Sequence, residues 1–158
     1  REARSASEAT RIARFASVQN EYSLLSREPE DEGVLAECAR EGLAFLPYFP
    51  LKSGLLTGKY RKGAPIPQNT RVARNERYRQ LLTDENLEKI QALIGFAESQ
   101  KHSLLELAFS WLLAHREVAS VIAGASNGEQ VRANASAASW DLGARDLAQI
   151  DELLRVGV

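Results

Sequence analysis

The chain contains one cysteine, Cys38, which excludes an internal disulfide and fits a reducing compartment. Only two histidines occur, His102 and His115, and no cysteine–histidine cluster has metal-ligand spacing. There is no G-x-G-x-x-G and no G-x-x-x-x-G-K-S/T loop. No apolar run approaches the ~20 residues of a membrane span, and no charged-then-apolar leader opens the chain. The expectation is a soluble, cytoplasmic protein. A net charge of −1 gives no reason to expect a nucleic-acid groove or an anionic membrane surface. No internal period marks a solenoid.

At 158 residues, 44% hydrophobic and 26% charged, the chain has the size and composition of one globular domain. Its most informative stretch is Leu43–Tyr60, LAFLPYFPLKSGLLTGKY. A short apolar run between Gly42 and Pro47 opens into a turn-rich segment with aromatic, basic and small hydroxyl residues. A buried strand opening into such a loop is the usual layout of a ligand site on a parallel sheet.

The rest of the chain predicts alternation. Residues 1–13 read as helical, and Phe15–Gln19 as a strand. Pro29 followed by acids opens a helix, with Val34, Leu35, Cys38 and Ala39 on one face and Gly42 as its stop. Cys38 is then a buried structural thiol or a reactive one. Strand Leu43–Leu46 completes a strand–helix–strand unit, which argues for parallel pairing. Residues 47–75 show no period and read as one long loop, and Glu76–Leu82 as a short helix. Thr83 caps a helix to about Lys101, and Ser103 with Glu106 forms a capping box for the next. Val118–Ala123 reads as a buried strand. A helix capped by Ser126 or Asn127 follows, with Ser126 and Glu129 at box spacing and Val131, Ala135 and Ala138 along it. A last helix runs from Ala144 to about Leu154. The sum is an α/β chain with three parallel strands.

Candidate site residues cluster after the strands. The turn at Gly124–Asn127 into a capped helix is either an anion site or an ordinary βα turn. Gln130 and Asn134 share a helix face and could grip a base or sugar edge, or face water. Tyr48 could stack on a planar ring or pack in the core. Lys52, Lys59, Arg61, Lys62, Arg71 and Arg74 give the loop a basic character suited to phosphate, or to solvent. Gln19 could bind a carboxamide, with donor and acceptor both matched. The histidines read as structural. Tyr22 and Tyr60 are possible proton donors with no evident lysine–aspartate partners.

SVQNEYSLL (17–25), LPYFPLKSGLLTGKY (46–60), NTRVA (69–73) and VIAGASNGEQVRAN (121–134), in that order and spacing, resemble the C-terminal half of an aldo-keto reductase. The resemblance implies a partial (β/α)8 TIM barrel: the last three parallel strands with their helices, as a single domain over 1–158. It implies a loop over about 47–75 that covers the cofactor, NADP(H), with NAD(H) possible. Gln19 would hold the nicotinamide carboxamide and Tyr48 would stack on the nicotinamide ring. Pro50, Leu51 and Ser53 would line the pyrophosphate path, with Lys59 and Arg71 as anion ligands. Gly124, Ser126, Gln130 and Asn134 would surround the adenosine end. Two positions depart from the family pattern: Phe49 stands where many relatives have serine, and Gln130 where some have a basic residue.

The family's Asp, Tyr, Lys and His tetrad lies in the other half of the barrel, so the resemblance assigns no catalytic residue and no metal ligand here. A full barrel takes about 250 residues. The expectation is the C-terminal part of an oxidoreductase that reduces aldehydes or ketones by hydride transfer, inactive alone and prone to self-associate or to need a second half-barrel. The alternatives are a non-enzymatic NADP(H)-binding accessory module, as in potassium-channel β subunits, and an unrelated α/β binding domain.

Overall fold

A computed structural model describes residues 2–10 and 13–155. The helix expected over residues 1–13 is present as α1 (Glu2–Thr10), and residues 1, 11 and 12 lie outside the described residues. Strand β1 (Ser17–Glu21) pairs in parallel with β2 (Ala44–Tyr48), in a register running from Ser17 opposite Ala44 to Glu21 opposite Tyr48. Both strands sit slightly later than the apolar residues suggest. Phe15 is outside β1 and 56% exposed, while β2 runs on past Leu46 to end at Tyr48.

The crossover between them is two helices, not one: α2 (Glu28–Asp31) and α3 (Val34–Glu41). Gly33 separates them with a φ of 75°, a left-handed conformation that glycine adopts without a Cβ penalty. Gly42 ends α3 in the same conformation, as expected of a C′ glycine. Leu35 and Cys38 are buried on the α3 face turned to the sheet, whereas Ala39 is exposed.

The third strand expected at Val118–Ala123 is reduced to two parallel bridges, Phe45 to Val118 and Tyr48 to Ile122. Two features account for this. Pro47, next to the last residue of β2, has no N–H to give a neighbour. The bridges are also three residues apart on β2 but four apart on the facing segment, which leaves one extra residue bulged between them. Phe45 N–H donates to Glu117 O, and Ala119 N–H and Ile122 N–H donate back to Phe45 O and Pro47 O. The segment is also not continuously buried: Val118 is inside, but Ile122 is 44% exposed.

The expected loop over 47–75 holds local structure of its own, a 3-10 turn at Lys52–Thr57 and the short helix α4 (Arg71–Arg74). Helix α5 (Glu76–Arg79) follows directly. One buried cluster joins residues of α6 (Asp84–Ser99) and α7 (Leu104–Leu113) with Phe45 of β2. Thr83 accepts from Asn86 N–H at the start of α6, and the Ser103–Glu106 capping box is formed in both directions. Trp111 of α7, Phe45 of β2 and Tyr22 are each about fully buried and in ring contact through Tyr22. Helices α8 (Gly128–Ser136) and α9 (Ala144–Arg155) complete the chain. Val131 and Ala135, carried on α8, are exposed, Val131 at 57%, and Ala138 lies past its end, also exposed.

Candidate functional site

A cavity of about 490 Å³ opens beyond the C-terminal end of β2. Tyr48 and Ile122, the last bridged pair, meet at its base. The chain leaves β2 through a strained reversal in which Phe49, Lys52 and Ser53 have φ of 54°, 43° and 57°, and Gly54 has 96°. Each non-glycine residue so placed costs roughly 1–2 kcal/mol. The reversal is held from both sides. Leu55 and Leu56 are fully buried beneath it. Lys52 Nζ binds Glu21 Oε1 at 2.5 Å and the Ser26 hydroxyl, which ties the turn to the end of β1. Pro50, Leu51 and Ser53 thereby form one wall of the cavity.

The opposite wall is the start of α8. Asn127 is its N-cap and accepts from Gln130 N–H at 2.9 Å. The Gln130 amide oxygen in turn accepts from Ser126 N–H at 2.8 Å. The helix start is therefore held by Asn127 and Gln130, with Gln130 reaching back to Ser126 N–H, and not by a box of Ser126 with Glu129. It fixes Ser126 and Gln130 on the cavity side, with Asn134 one turn further along and Gly124 before them.

A third wall comes from the later part of the loop over 47–75, at Asn69, Thr70 and Arg71. Thr70 caps α4 by accepting from Ala73 N–H, and fully buried Val72 anchors it. This presents Arg71 to the cavity. A Cβ on Gly124 would sit 3.8 Å from Arg71 Nη2, so the guanidinium lies close over bare glycine backbone. The structure sorts the basic residues of that loop. Lys52 is engaged with Glu21, Arg61 with Glu98, Lys62 with Glu88, and Arg74 with Asn69. Lys59 and Arg71 line the cavity instead, and among the described residues neither forms a salt bridge. Among the described residues no carboxylate or imidazole lines the cavity, so the formal charge of its lining is positive only. Such a surface suits a polyanion that also carries flat rings.

All the residues that the resemblance assigns to the cofactor line this one cavity except Gln19, which is exposed on β1 opposite Leu46. Sequence reasoning did not place Thr57, Asn69, Thr70 or Leu105 there. Asn69 and Thr70 begin the NTRVA stretch and could have been found with Arg71, whereas Leu105 carries no signal in a helix of leucines.

The possible acid–base groups mostly lie elsewhere. Tyr22 is buried, donates to Glu30 Oε1 at 2.6 Å and contacts His115 Nε2 at 3.0 Å. Burial, then the bond to Glu30, pushes its pKa far above the usual phenol value. His102 stacks on Trp140 at 4.1 Å and bonds Glu106. Tyr60 lines the cavity but is 4% exposed. Among the described residues no histidine, cysteine and carboxylate group could hold a metal ion. A larger cavity, about 740 Å³, lies between α1, β1 and α3 around Phe15, Val18 and Cys38. Its lining charges are of both signs, and burial, with Glu117 and Glu37 nearby, raises the Cys38 thiol pKa.

The aldo/keto reductase family model matches residues 1–155, and the chain belongs to that family. It is 36% identical over 145 residues to an L-glyceraldehyde 3-phosphate reductase of Escherichia coli K12, covering 88% of this chain and 41% of that protein. It is 36% identical over 123 residues to a probable voltage-gated potassium channel subunit beta of Arabidopsis thaliana, covering 75% of this chain and 37% of that one. The structure of a glycerol dehydrogenase from Gluconobacter oxydans superposes with a TM-score of 0.77 at 23% identity, over 94% of this chain and 45% of that one. That likeness is one of fold, an aldo-keto reductase barrel, and the two parallel strands with a bridged third segment are consistent with part of one. The chain spans about two-fifths of the length of the curated relatives it matches, at 41% and 37%. Membership sets aside an unrelated α/β domain. No helix among the described residues is long and apolar enough to cross a membrane.

Proposed function

We propose that the cavity is the dinucleotide-holding part of an NADP(H)-dependent carbonyl reductase. One observation carries the reading: three separate segments bring an aromatic ring, two cations and a capped helix start to one cavity without a carboxylate. Tyr48 is the platform for the nicotinamide ring. Lys59 and Arg71 neutralise phosphates, with Pro50, Leu51 and Ser53 along the path between. Gly124, Ser126, Gln130 and Asn134 face the adenosine end. The Gln130 amide oxygen already holds Ser126 N–H, so Arg71 is assigned the 2′-phosphate and sets a preference for NADPH over NADH. When bound, the cofactor supplies a hydride to the carbonyl carbon of an aldehyde or ketone. The chain's own part is to bind, orient and shield, and no residue of it is assigned the proton. Gln19, outside the cavity lining, remains a proposed carboxamide contact only where a ligand extends past Tyr48.

The test is calorimetric titration of the chain with NADPH and NADH, with a carbonyl turnover assay beside it. Binding of NADPH without turnover is expected. Arg71→Ala should weaken NADPH by about tenfold or more, the worth of a charge-assisted hydrogen bond, and NADH far less. Absence of NADPH binding contradicts the site, and turnover at a reductase rate contradicts inactivity of the chain alone. The similarity to a channel subunit beta supports a second reading, cofactor binding in an accessory protein. Reductase activity on any aldehyde or ketone contradicts that one.

A further inference from the structure

The cavity has a feature that the cofactor roles above leave unused. Phe49 lines it with a φ of 54°. Among the described residues the other left-handed positions hold glycine (Gly33, Gly42, Gly54, Gly58 and Gly63), the small Ser53, or an unbranched lysine (Lys52 and Lys101), but here the chain carries a bulky ring. Core packing does not explain the choice, because Phe49 is 39% exposed. Hydrogen bonding does not explain it either, since the ring has no polar atom and only the backbone is used, Phe49 O accepting from Lys52 N–H at 2.9 Å. Among the described residues its one ring contact is with Tyr48, at 5.7 Å between centroids and 63° between planes. The two rings thus form an open aromatic corner at the end of β2. A backbone outlier that keeps an exposed ring facing a cavity is the pattern expected where strain serves binding.

The geometry points to Phe49 as a second aromatic contact for the nicotinamide end of the ligand, closing the corner whose other face is Tyr48. This rests on the cavity being a nicotinamide dinucleotide site. A flat ring laid on Tyr48 meets the Phe49 ring at an angle, the offset or edge-to-face arrangement that aromatic pairs prefer.

The experiment compares the full chain with its Phe49→Gly and Phe49→Tyr variants by calorimetry. The probes are NADPH and 2′-phospho-ADP-ribose, which lacks the nicotinamide. Urea unfolding of each variant is followed as well. Phe49→Gly is expected to bind NADPH about fivefold more weakly, to bind 2′-phospho-ADP-ribose as the parent does, and to unfold at no lower urea concentration. Phe49→Tyr, which keeps the ring, should restore NADPH binding. Equal NADPH binding by parent and Phe49→Gly overturns the assignment while leaving the site reading intact. An equal loss for both probes, or an earlier unfolding midpoint, makes the ring structural and also overturns it. Failure of the parent itself to bind NADPH removes the site reading and this assignment together.

Discussion

Glu30 takes two bonds from Arg27, at 2.8 and 2.6 Å, and one from the Tyr22 hydroxyl at 2.6 Å. Arg27 also holds Asp151 of α9 and lies over the Trp111 ring. Burial alone would raise the Glu30 carboxyl pKa, but the bonds from Arg27 and Tyr22 outweigh it and the net shift is downward. A folded pKa below the unfolded value of ~4.3 means that stability is present above that value and is lost as pH falls through the lowered one. Urea unfolding followed downward from about pH 7 should therefore show an acid loss of stability that Glu30→Gln flattens. At neutral pH the same variant should cost about 1–3 kcal/mol, because Arg27 and Tyr22 lose an ionised partner. An unchanged acid limb in the variant would contradict the assignment. Nothing in the sequence announced this cluster, since Tyr22, Glu30, Trp111 and Asp151 come together only through the fold. Tyr48, Lys59 and Arg71 were legible because they stand in ordered stretches whose residue types already suit a ring and phosphates. Phe49 reads as an ordinary aromatic in the sequence, and only its backbone conformation sets it apart.

The cavity depends on short elements held by single groups. Asn127→Ala should cost about 1 kcal/mol in urea unfolding and loosen the Gln130–Ser126 contact that depends on the same helix start. It should weaken NADPH as well; full affinity at reduced stability would show that the helix start does not shape the site. Gly33→Ala tests the break between α2 and α3. There is open space for the added Cβ, so the expected cost, roughly 1–2 kcal/mol, comes from left-handed backbone alone. The alternation of strands and helices was legible because apolar runs and capping residues are local signals. Strand ends were not, because they are fixed by partners: β2 extends to Tyr48 through its pairing with Glu21. The third strand failed to form a ladder partly for a reason written in a different segment, Pro47 of β2, besides the bulged residue of its own.

For the molecule as a whole, the sheet is the unusual part. Among the described residues β1 pairs only with β2, and Phe15, Ile122 and Val131 are large apolar side chains left in solvent. Unpaired strand edges and exposed apolar groups promote association. Sedimentation velocity should show the chain growing beyond a monomer as its concentration rises, and a single monomeric species at all concentrations would contradict this. The family was legible in sequence from four stretches, and the structure adds that three of them reach one cavity while the first sends Gln19 elsewhere. That convergence is tested most directly by titrating isotope-labelled chain with NADPH and following backbone amide NMR signals. The amides of Tyr48, Ser53, Arg71, Gly124, Ser126 and Asn134 should shift together along one saturable curve, with those around Cys38 unmoved. Shifts centred on the Cys38 cavity, or none at saturating NADPH, would contradict a cofactor site at the end of β2.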